Sequence, residues 1–168
     1  MARMQSFDVT STVDLQEVDN ALNQARKEVS QRFDFKGVRV EIQLERSAGV
    51  VRLVAGDEYR LRALLGVVRE KLARRRVPLK NVRAGKVEPA AGGASRMELS
   101  LQQGIPGEVA KQMSRAVRDL GLKRVQAHIQ GDQLRVQGPD RDDLQKVIRA
   151  LRERDFGLEL QFGNYRSQ

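Results

Sequence analysis

Two spacings of apolar residues take turns along this chain. In short stretches every second residue is apolar: Val38, Val40, Ile42 and Leu44 alternate with Arg39, Glu41 and Gln43, and Met97, Leu99 and Leu101 alternate with Glu98 and Ser100. A period of two belongs to a strand with one face buried and the other wet. Between these stretches apolar residues recur three and four apart, as on one stripe of a helix. Leu15, Val18, Leu22, Ala25, Val29 and Phe33 predict a first helix, capped by Ser11 or Thr12. A second runs from about Asp57 to Arg76 and stops before Pro78; a third carries Val109, Met113, Ala116, Val117 and Leu120 and ends at Gly121. The last spans about Asp140 to Glu153, with Leu144, Val147, Ile148 and Leu151 on one side.

The remaining strands complete a regular order. Ser6 to Val9, Val50 to Val54, Val82 to Val87, Val125 to Ile129 and Leu134 to Val136 read as strands, and Leu158, Leu160 and Phe162 finish the series. Gly131-Asp132 fits a two-residue hairpin turn, and Pro89 to Ala94 reads as a linker. Each half therefore has the order β-α-β-β-α-β, the ferredoxin-like pattern. The predicted fold is α+β: two ferredoxin-like domains of antiparallel sheet, each with helices on one face and the other face open. A pseudo-repeat supports the division, since Val51, Arg52, Leu53, Asp57 and Leu61 match Leu134, Arg135, Val136, Asp140 and Leu144 in order.

Composition narrows the function. The 168 residues suffice for two domains of roughly 80 residues. The chain has no Cys and a single His, His128, which leaves no thiolate metal site and argues against structural zinc, so no cofactor is expected. Without an apolar leader or a membrane-length apolar run, a cytoplasmic protein without membrane contact is the expectation. Lys and Arg number 31 against 22 Asp and Glu, a net +9, which suits a polyanionic partner or simply a solvated basic surface. Arg69, Lys71, Arg74, Arg75 and Arg76 crowd one helix end, where cations also complement the helix dipole. The phosphate-loop pattern G-x-x-x-x-G-K-[ST] is missing and no nucleophile–base pair stands out. Asp142 and Asp143 are neighbours on a helix and diverge, so no catalytic residue is assigned and a binding protein is expected over an enzyme.

Three segments carry candidate binding chemistry. In Arg32-Phe-Asp-Phe-Lys-Gly37, Phe33 or Phe35 can stack on a base while Arg32 or Lys36 meets a phosphate; equally, both aromatics can anchor the core, where alternation would bury them. Around Gln130-Gly-Asp-Gln133, the side chains of Gln126, His128, Gln133 and Arg135 project from the open sheet face. There Arg135 can grip a phosphate or a guanine edge and the glutamines can bond base edges, although a wet sheet face must be polar in any case. Arg141-Asp-Asp-Leu-Gln145 opens a helix whose two acids complement its positive end, and Arg141 can reach a ligand bound beside the sheet. The strands Val125 to Ile129 and Leu134 to Val136 contain no aromatic, which disfavours a sequence-reading RNA module that stacks bases on its central strands.

The segments Ser6-Phe-Asp-Val9, Val13-Asp-Leu-Gln-Glu-Val18, Arg32-Phe-Asp-Phe-Lys-Gly37, Val87-Glu-Pro89, Ile129-Gln-Gly-Asp-Gln133, Arg141-Asp-Asp-Leu-Gln145 and Leu160-Gln-Phe162, taken in order, closely resemble the YajQ family of bacterial proteins. The resemblance covers essentially the whole chain, though Pro139-Asp140 stand where the family usually carries a basic residue. It implies two ferredoxin-like domains with their first strands exchanged. One domain spans residues 11–102 with strand 95–102 swapped in, and the other residues 1–10 plus 103–168. It also implies nucleotide binding, some members of the family being implicated in sensing cyclic di-GMP or binding RNA; the nucleotide expected for this chain is cyclic di-GMP or GTP. The expectation is a non-catalytic, cyclic di-GMP-responsive regulator. The alternatives are RNA or tRNA binding through a basic surface, or a protein-interaction regulator without a nucleotide ligand. A further class is a regulator that contacts a transcription regulator, with nucleotide binding changing that contact.

Overall fold

The computed structural model describes residues 3–167. In chain order the strands and α-helices are β1 (Gln5–Thr10), α1 (Leu15–Gln31), β2 (Val40–Glu45), β3 (Val50–Ala55), α2 (Glu58–Arg74), β4 (Val82–Ala84), β5 (Glu88–Pro89), β6 (Ser95–Leu101), α3 (Gly107–Asp119), β7 (Gln126–Gln130), β8 (Gln133–Gly138), α4 (Arg141–Glu153) and β9 (Gln161–Ser167). They divide into two compact units, Val13–Gln102 and residues 3–12 with 103–167.

In the unit Val13–Gln102 the antiparallel sheet has the order β2-β3-β6-β4, with β5 also paired to β6. Ile42, Val51, Leu53, Met97 and Leu99 point to one face and are buried against Leu22, Leu61, Leu64 and Leu72 of α1 and α2. Arg52 and Glu98, on intervening positions, point to the other face. In the second unit the order is β7-β8-β1-β9, so β1 is hydrogen-bonded between β8 and β9. Phe7, Val9, Leu134 and Val136 form the sheet side of its core, closed by Met113 of α3 and by Val147 and Leu151 of α4. Both units are thus α+β with helices on one face of an antiparallel sheet, as the two ferredoxin-like patterns predict.

The repeat between the halves is physical. Asp57 accepts a hydrogen bond from Arg60 N at 2.8 Å and caps α2, and Asp140 accepts from Asp142 N at 2.8 Å and caps α4. Gln130 and Gln133 close the predicted turn at Gly131-Asp132.

Several boundaries differ from the pattern-based reading. Asp14, not Ser11 or Thr12, caps α1, accepting from Gln16 N at 2.9 Å; its carboxylate sits next to the helix entry, whereas the Thr12 hydroxyl donates to Gln161 Oε1 at 2.7 Å. α1 stops at Gln31, and Phe33 leaves the helical stripe to open a separate 3-10 turn, Phe33–Phe35. The strand expected over Val82 to Val87 breaks after Ala84, and Gly85 N donates to Glu98 O at 2.8 Å before β5 begins. The supposed linker Pro89 to Ala94 lies inside one unit, because Pro89 pairs with Ser95 across a tight return into β6. Leu158 is buried in the core ahead of β9 instead of lying on it.

Candidate functional site

Strict alternation brings the second unit's predicted polar residues together. Gln126, His128 and Gln130 on β7 stand opposite Gln137, Arg135 and Gln133 on β8, all on the face away from the helices. Directly opposite residues share a face, so this is one polar surface. On the next strand Asp8 pairs in register with Arg135. Arg135 Nε donates to Asp8 Oδ1 at 2.9 Å and Nη2 to Oδ2 at 3.3 Å. Asn164 Nδ2 adds a third bond to Asp8 at 2.6 Å, and Arg166 Nε reaches Asn164 Oδ1 at 3.4 Å.

Asp8 is only 6% exposed. Burial alone would raise its pKa, but the hydrogen bonds from Arg135, joined by Asn164, outweigh it and hold the carboxyl below its ordinary value; Asp8 in turn raises Arg135. Arg135 is therefore held through two of its five N–H donors, and the three others are what it can offer a ligand. His128 Nε2 lies 3.3 Å from Gln137 Nε2, a cross-strand surface contact. Asp8, Asn164 and Arg166 escaped the sequence reading. The one signal for them is an acid placed between the apolar Phe7 and Val9. The first unit repeats the geometry, with Arg52 in register with Glu98 and Nε to Oε2 at 3.1 Å.

The second group, in the first unit, surrounds a cleft of about 780 Å³ between the end of α1 and β2. Its floor is apolar, with Val29, Val38 and Val40, and Arg26 crosses it to donate to Ile42 O at 2.6 Å. Phe33 and Phe35 part company here. Phe35 is 4% exposed and anchors the core, with the Arg32 guanidinium 5.4 Å from its ring centroid. Phe33 is 87% exposed, so alternation does not bury it: the 3-10 turn rotates it away from the core. Arg32 forks onto Asp34 at 3.0 and 2.7 Å, and these bonds hold Asp34 below the ordinary carboxylate range. Lys36 is exposed and forms no ion pair among the described residues.

Arg141 joins neither group. It borders a separate cleft of about 440 Å³ in the second unit, with Gln145, Tyr165 and Phe7. The basic end of α2 is largely neutralised, because Lys71 meets Glu28 at 2.9 Å, Arg74 meets Glu70 at 2.7 Å and Arg75 meets Glu17 at 3.5 Å. Among the described residues no cluster of His, Cys, Asp and Glu could hold a metal ion, and no helix is long and apolar enough to cross a membrane.

Comparison with known proteins gives one consistent result. A family profile described as "Nucleotide-binding protein YajQ-like" matches residues 5–166. The chain is 48% identical over 162 residues to a protein named nucleotide-binding protein from Koribacter versatilis, covering 96% of this chain and 97% of that one. It is 50% identical over 166 residues to another of that name from Carboxydothermus hydrogenoformans, covering 99% and 100%. A third, from Trichlorobacter lovleyi, is 48% identical over 163 residues, covering 97% and 99%.

Proposed function

From the premise that this chain belongs to the YajQ-like family of nucleotide-binding proteins, we propose that it binds a nucleotide in the cleft beside Phe33, with cyclic di-GMP as the ligand, and responds to it without catalysing a reaction. The observation that carries this reading is the exposure of Phe33, 87%, next to a cation that no described acid neutralises, Lys36. Holding a phenyl ring in water is unfavourable, and a base stacked on it recovers roughly 1–3 kcal/mol. Lys36 then meets phosphate as a point charge, while Arg32, 5.4 Å from the Phe35 ring centroid and paired with Asp34 and Glu28, adds further N–H donors at the same cleft. Asp34, ionised and bonded through both oxygens to Arg32, accepts from the N1–H and N2–H donors of a guanine only by exchanging Arg32, which that exchange frees for phosphate. A ligand with two phosphates and guanine bases uses all of these features.

Calorimetric titration with cyclic di-GMP, GTP and a short single-stranded RNA at two salt concentrations tests the reading. Saturable binding of the cyclic dinucleotide is expected at both salts. Phe33→Ala should weaken it about tenfold or more, with the circular dichroism spectrum unchanged because the ring is not in the core. Binding of RNA alone, collapsing at the higher salt, would replace the cleft with a polyanion surface.

A further inference from the structure

The sheet edges are not equally protected. An open edge invites another strand, and folded proteins usually blunt theirs with charges, bulges or short strands. At β2 the Arg26 guanidinium occupies the outward carbonyl of Ile42, through Nε at 3.1 Å and Nη2 at 2.6 Å. The opposite edge of that sheet is cut into β4, three residues, and β5, two residues. β9 shifts register against β1 between Ser6 and Asp8, and Asn164 takes a φ of 53°.

β7 has none of these devices. Gln126–Gln130 contains no charge, no Pro and no bulge, and pairs in unbroken register with β8. Because Gln130 and Gln133 close a two-residue turn, they form a hydrogen-bonded pair, as do His128 with Arg135 and Gln126 with Gln137. The N–H and C=O groups of Ala127 and Ile129 therefore point away from the sheet, and no described residue bonds them.

Beside that edge runs a groove of about 600 Å³ between β7 and α3, with Val117, Val125 and Ala127 at its base and Ile129, 44% exposed, at its rim. Lys111, Arg115 and Arg118 line its helix side. All three are exposed, and none is within ion-pair distance of an acid among the described residues, although Glu108 and Asp119 lie on the same helix. Charge and backbone thus ask for the same occupant.

We propose that the β7 edge and the α3 cation stripe form a docking site for an extended acidic segment of a partner protein, which adds as a strand beside β7. The residues pairing with Ala127 and Ile129 raise their side chains on the α3 side of the sheet. In a strand those side chains recur about every 6.8 Å. Lys111 and Arg115 are separated by about 6 Å of helix rise, so an acid at every second position meets successive cations. The site lies wholly in the second unit, so its test is independent of the nucleotide reading.

The probe is a short fluorescein-labelled peptide alternating Glu and Val, followed by anisotropy on the full chain and by hydrogen exchange. Saturable binding is expected, with slowed exchange at the Ala127 and Ile129 amides. Methylating the peptide's alternate backbone nitrogens should abolish binding, while Arg115→Glu with Arg118→Glu should weaken it about tenfold or more. These exposed positions leave the fold unchanged by circular dichroism. Equal binding of the methylated peptide would overturn the proposal, as would unchanged exchange at Ala127 and Ile129. So would a single-stranded RNA that needs Arg115 and Arg118 where the peptide fails to bind.

Discussion

Phe33 and Phe35 stand two residues apart, and the same alternation that buries one would bury the other if the segment were a strand. A 3-10 turn has about three residues per turn instead of two, so the pair diverges: Phe35 enters the core and Phe33 faces water. The opposite case is Asp8, a carboxylate in the middle of a sheet. Its folded pKa is lowered by Arg135 and Asn164, so its stabilising contribution is complete above the ordinary carboxylate range and is lost as pH falls through the folded value. Asp8→Ala should cost about 1–3 kcal/mol at neutral pH by leaving Arg135 without its partner. It should also flatten the acid limb of stability against pH. Urea unfolding at several pH values measures both, and an unchanged midpoint at neutral pH would show that the pair is not stabilising.

At the scale of elements, helices and caps were largely legible. The acids at Asp57 and Asp140 stand immediately before apolar stripes, and both cap. Asp14 was overlooked because Ser11 and Thr12 precede it and are equally good cap formers; only the chain path decides among them. Asp14→Ala should therefore destabilise the protein by about 1 kcal/mol. Equal loss from Thr12→Ala measured the same way would instead reflect its bond to Gln161. The polar face of β7 and β8 was legible because a hairpin fixes its own register. Its completion by Asp8, Asn164 and Arg166 was not, because alternation reports which way a residue points and not which strand lies beside it. Family resemblance, not periodicity, pointed to β1 there. The unblunted edge of β7 is also invisible in sequence, since it depends on what fails to bond Ala127 and Ile129.

For the molecule as a whole, net charge is a poor guide until its pairing is known. In the first unit the bonds of Arg39 to Glu41, Arg52 to Glu98, Lys71 to Glu28 and Arg96 to Glu88 tie cations to acids. Lys36, Lys111, Arg115 and Arg118 have no such partner among the described residues, and both proposed sites use them. The pseudo-repeat thus supports division of labour: related units, with Arg52–Glu98 and Arg135–Asp8 in matching positions, place free cations beside different features, an exposed aromatic in one and an open strand edge in the other. The most direct test of the account is backbone amide chemical-shift mapping of the isotopically labelled full chain during titration with cyclic di-GMP. Binding in the cleft beside Phe33 predicts saturating shifts concentrated in residues 32–37 and along the adjoining edge of β2. Shifts confined to β7, β8 and β1, or no shifts at saturating ligand, would contradict it.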